Sequence, residues 1–170
     1  MPALTPFQLF FHDVEDEFAA TRRILSAFPD EHADWQPHDR SMSLATLAAH
    51  IAELPRLAHL IATEDEWDVT AGGGYTPSGA RTRSAILDLF EESSNPALEA
   101  IRSLTPDDLA RPWAMRGGEV VYFEGPRGPL LRQYLVSHTA HHRGQLGVCY
   151  RLLGVALPGI YGPTADQVPS

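Results

Sequence analysis

A chain of 170 residues, 44% hydrophobic and 21% charged, has the composition of one globular domain with enough length to bury a core. Its formal net charge of -9, without a single lysine or a basic run, argues against a nucleic-acid partner. The one cysteine, Cys149, leaves no intrachain disulfide to form. The start at Met1-Pro2-Ala3 lacks the basic and apolar runs of a secretory signal, and no apolar stretch nears the ~20 residues of a membrane span. The expectation is a cytoplasmic protein of one domain over residues 1–170, without a membrane partner.

The first predicted helix covers residues 6–28. Thr5, Pro6 and Gln8 form a capped start, and Phe7, Phe11, Val14, Phe18, Leu25 and Phe28 recur at steps of three and four, with one step through Thr21. After a polar loop carrying Trp35, a second helix spans 44–64 with Ser43 as cap; its stripe is Leu47, His50, Leu54, Leu57 and Ile61, and Pro55 predicts a kink. A flexible crossover holds Gly72-Gly73-Gly74 and Gly79. The third helix covers 82–104 with Ile86, Phe90, Ala97, Ile101 and Leu104 on one face, interrupted by Pro96. Thr105-Pro106-Asp107-Asp108 reads as a short helical turn, and segments 112–115 and 120–123 flank Gly117-Gly118 as a small β-hairpin. The fourth helix spans 129–153 and stops at Gly154; its stripe is Leu131, Leu135, His138, His142, Gln145, Cys149 and Leu152. An irregular tail rich in Pro and Gly follows from about residue 155. Four helices of similar length predict an all-α four-helix bundle with a small β-hairpin between the third and fourth.

Three of the eight histidines occupy seam positions where leucine is expected: His50, His138 and His142. His138 and His142 are four residues apart, which places both imidazoles on one helix face, able to share a metal ion. A lone seam histidine such as His50 is ordinarily a hydrogen-bonded core residue, whereas two buried neutral imidazoles need partners that a metal supplies. If the seams converge, the three form a site with three protein ligands and an open position, the pattern of a catalytic rather than a structural centre.

Other candidates carry two readings each. His141 is a donor behind the site or a surface residue. Glu53 is a general base or a solvated surface glutamate. Gln145 orients a ligand or fills a polar gap in the core. Cys149 is a soft ligand, a reactive thiol, or a buried structural cysteine. Gly144 and Gly147 suggest close approach by another helix, within the chain or across a dimer. His12, His32, His38 and His59 receive no role. No Glu-x-x-His, phosphate-cradling loop or nucleophile elbow is present.

The run V-S-H-T-A-H-H-R-G-Q-L from Val136 to Leu146 resembles the signature of the DinB/YfiT-like family, bundles assigned as metalloenzymes. The stretch from Ser43 through His50 to Glu53 resembles that family's other ligand-bearing helix, and Trp35-Gln36-Pro37 fits as well. The resemblance extends to Tyr161-Gly162-Pro163. It implies a bundle of up-down-down-up order with a long crossover, a zinc or nickel site at His50, His138 and His142, and a homodimer. Some relatives are S-transferases using bacillithiol or mycothiol, and related bundles include a maleylpyruvate isomerase. Two functions follow. One is an enzyme that holds a low-molecular-weight thiol as thiolate for attack on an electrophile, or that hydrolyses a small-molecule substrate. The other is a non-catalytic metal-binding protein of stress response or protein interaction.

Overall fold

The computed structural model describes residues 4–167; Met1-Pro2-Ala3 and the last three residues of the expected tail lie outside them. The chain is mostly helical, with a small three-stranded sheet. Helix α1 (Pro6–Phe10) starts with a reciprocal Thr5/Gln8 capping box, and α2 (Val14–Ser26) follows after a break at residues 11–13. One continuous helix was expected here. The break has a physical basis: Asp13 is drawn out to Arg132, which donates to both of its carboxylate oxygens (2.6 and 3.1 Å) and also to the Phe10 carbonyl. Phe11 and Val14 nevertheless both reach the core, as the stripe predicts.

Helix α3 (Leu44–Thr63) begins at Ser43, whose hydroxyl accepts from the Thr46 amide, and runs on through Pro55. Helix α4 (Arg83–Ser103) begins at Thr82 and continues through Pro96. The two pack along each other, and both also contact the remaining long helices, α3 meeting α7 and α4 meeting α2. Ala48, Ile51, Ala52, Ala58 and Ile61 on α3, with Ile86, Phe90, Ala97 and Ile101 on α4, are wholly buried. Small alanines let the backbones approach, and each buried Ile or Phe contributes ~1.5–3 kcal/mol of apolar burial.

The turn at residue 105 is α5 (Pro106–Ala110), capped by Thr105 and Asp108. The expected hairpin forms as β2 (Pro112–Gly117) and β3 (Val120–Pro126), with Gly118 at φ +61° in the turn. An unexpected strand, β1 (Glu66–Asp68), pairs in parallel with β2. Three residues are too few to show periodicity, and β1 is held from outside by Arg116 of β2, which bonds Glu66 and Asp68.

The last helical stretch starts at α6 (Arg127–Leu131), passes through a π-helical turn at Arg132–Ser137, and continues as α7 (His138–Leu152); Gly154, at φ +72°, ends it. Residues 155–167 then form no helix or strand. Along α7 the expected stripe drifts. Leu146 and Tyr150 are fully buried, while Gln145 and Leu152 are exposed. The π-helical turn before His138 shifts the buried face by part of a turn, and a 3.5-residue stripe adds ~20° of lag per heptad behind a helix of 3.6.

Candidate metal centre

His50 projects from the middle of α3, and His138 and His142 from the first two turns of α7. The π-helical turn sits immediately before His138, and such turns recur at functional sites. The seams converge as predicted. The Nε2 atoms of His142 and His138 are 3.0 Å apart, and those of His50 and His138 are 3.3 Å apart. Ligand atoms of all three lie within 4.8 Å of one another. Tetrahedral zinc, with Zn–N of ~2.0–2.1 Å, sets its nitrogens about 3.3–3.4 Å apart.

The proton arrangement fits a cation. His142 Nδ1 lies 2.7 Å from the Gln145 Oε1, which only accepts, so Nδ1 carries the proton and Nε2 presents a lone pair. A proton on His138 Nε2 would serve one neighbour and leave the other lone pair opposed. A cation among the three relieves that repulsion. Burial pushes the His50 imidazole down to about 4 from its usual 6.5, helped by the charges His142 and His138 would carry. Burial also lowers His138 and His142, with Gln145 opposing the shift at His142. The rings are therefore neutral at pH 7, the form a metal needs. Among the described residues the cluster holds three such groups, with no fourth His, Cys, Asp or Glu.

A cavity of about 240 Å³ opens beside His50 and His138, walled by Trp67, Tyr75, Phe123 and Tyr134. Phe123 stacks on Tyr134 (centroids 4.4 Å apart), and Tyr134 lies 5.7 Å from the His138 ring. Glu53 also lines this space. It is not a solvated surface glutamate, one of its two expected roles: it is 9% exposed, and each of its oxygens accepts a hydrogen bond. Tyr75 Oη donates to its Oε2 (2.8 Å) and the Ser78 amide donates to its Oε1 (2.9 Å). The residues between β1 and α4 are thereby fastened across the cavity. Burial, then the bond to Glu53, pushes the Tyr75 phenol up to about 12.

This geometry can be set beside known proteins. The sequence profile of the DinB superfamily matches residues 14–146, which include all three histidines. The chain belongs to the DinB superfamily. An uncharacterised relative, YrdA of Bacillus subtilis, is 28% identical over 162 residues, which span 93% of this chain and 89% of that one. The DinB fold is also seen in two solved DinB-like proteins. One, from Bacillus cereus, is 23% identical with a TM-score of 0.65, covering 89% of this chain and 95% of its own. The other, YjoA of Bacillus subtilis, is 20% identical with a TM-score of 0.66, covering 89% and 96%.

Within this DinB fold the remaining candidates separate by position. Gln145 is exposed, not in a core gap, and bridges His142 to His141: its Nε2 lies 3.1 Å from His141 Nε2. His141 is thus a surface residue that also supports the site through Gln145. Cys149 is buried and outside the ligand cluster, with burial raising its thiol, which fits the structural reading. Gly144 has nothing within 4 Å of where a Cβ would stand, and Gly147 meets only Ile24 and Leu157 at 4.0 Å. Within the described chain neither marks the close helix approach expected of it. The sequence reading missed the aromatic wall. Tyr134, four residues before His138, had a positional signal; Trp67 and Tyr75, in a three-residue strand and a glycine-rich segment, had none.

Proposed function

We propose that this protein is a metal-dependent enzyme whose long helices form a four-helix bundle of up-down-down-up order, holding one divalent transition metal, zinc or nickel, on His50, His138 and His142. The observation that carries the reading is the juxtaposition of a three-nitrogen cluster with a cavity that reaches two of its rings. A structural zinc site closes with four protein ligands, whereas three leave room for a reactant. When bound, the cation supplies Lewis-acid chemistry, favouring the anionic form of a thiol or of water. The reaction class we assign is thiol S-transfer, with hydrolysis as the variant. Gln145 holds the His142 ring with its Nε2 lone pair inward, and His141 backs Gln145. Glu53 keeps Tyr75 in the cavity wall, and the Tyr75 hydroxyl keeps its proton at neutral pH. The partners proposed are a second copy of the chain and a small molecule, with neither nucleic acid nor membrane; no helix among the described residues is long and apolar enough to cross a membrane.

His142→Ala tests the reading. Metal content by mass spectrometry should fall from one ion per chain to none. The bundle should stay folded, with a thermal midpoint close to that of the metal-loaded wild-type protein, as an open site predicts. A fold that collapses with the metal would favour a structural, non-catalytic ion. Metal-loaded protein inert across a panel of thiols and electrophiles would overturn the transferase assignment.

A further inference from the structure

The cavity beside the histidines is unusual in what it lacks. Its walls are carbon: the stacked Phe123 and Tyr134 pair, the edge-to-face Trp67 and Tyr75 pair (centroids 5.6 Å apart), and leucine side chains. The one carboxylate within reach, Glu53, has both oxygens occupied by Tyr75 and Ser78. Arg56 belongs to the rim and is exposed. A polar or anionic body placed here would lose its water without gaining partners, which such a site rejects strongly. A flat ring would meet aromatic side chains of both pairs. The volume, about 240 Å³, lies below that of pockets for drug-sized molecules, ~300–1,000 Å³.

We infer that the cavity takes a small, uncharged molecule built on a single planar ring, which seats its ring between the Phe123–Tyr134 and Trp67–Tyr75 pairs and turns one donor atom towards the histidine cluster. This rests on the metal-site reading above and goes beyond it by naming the class of molecule. An organic cation, the alternative occupant of an aromatic box, would be drawn to the ring faces but set against Arg56 at the rim and a divalent ion on the histidines.

The test uses the full chain loaded with cobalt, whose absorption reports both ion binding and thiolate ligation. Benzyl mercaptan and 2-mercaptoethanol present the same donor with and without a ring. Benzyl mercaptan should bind about tenfold more tightly or better, from burial of the ring. Tyr134→Leu, and separately Phe123→Leu, should cut that preference to about threefold or less by removing ring contacts, with 2-mercaptoethanol affinity and cobalt content unchanged. Benzyl alcohol should bind more tightly than benzyltrimethylammonium by tryptophan fluorescence. Equal affinity for the two thiols, an unaltered preference in both variants, or tighter binding of the ammonium each overturns the ring assignment while leaving the metal reading intact. Failure to bind cobalt overturns both.

Discussion

The two ligand-bearing helices and the segment that closes the cavity are held in place by different means. His50 and His142 sit on helices whose neighbours Ile51 and Leu146 are wholly buried, so the ligand positions are set by close-packed apolar surface. The segment from β1 to α4 is largely exposed, and its hold on the cavity is polar: two hydrogen bonds to Glu53 at one end and Arg116 bridging Glu66 and Asp68 at the other. A rigid ligand set therefore faces a wall that a few bonds keep in position. Elements of low local stability are where binding segments are commonly found.

Breaking the packed side should have the largest effect. Ile51→Ala removes a fully buried side chain beside His50 and should cost about 2–5 kcal/mol in urea unfolding, weakening metal binding with it. Gln145→Ala leaves the packing alone but frees the His142 ring. Metal affinity should fall about 10–100-fold in a chelator competition, with little change in metal-free stability. Acidification sharpens the same point. The metal-free protein should lose stability as pH falls from about 6.5 towards 4, because the unfolded chain takes up protons that His50, held at about 4, refuses. A urea midpoint that stays level between pH 7 and 5 would contradict this. The smallest effect belongs to the polar side. Glu53→Gln weakens the grip on Tyr75 and Ser78 and should cost about 1–2 kcal/mol or less. Amide exchange should quicken over residues 66–80 while α3 and α7 keep their protection.

The legibility of the molecule follows the same division. Stripes of buried residues announced α3, α4 and the last helical stretch nearly to their ends, and the i, i+4 spacing of His138 and His142 announced the ligand pair. The break between α1 and α2 was illegible because it depends on Arg132, distant in the chain, reaching Asp13. Glu53 reads as solvated in any local window, since the groups that bury it arrive from residues 75 and 78 across the crossover.

By itself the sequence determined the helical class, the faces each long helix buries and the candidate ligands, because those follow from local periodicity and side-chain chemistry. Tertiary structure alone decided that His50 meets the other two, that Gln145 orients a ring from the surface, and that four aromatic side chains enclose a carbon-lined space beside them. The first and last of these depend on contacts between segments far apart in the chain, which no periodic pattern encodes; the second is a contact three residues apart whose hydrogen bond only the placed side chains reveal.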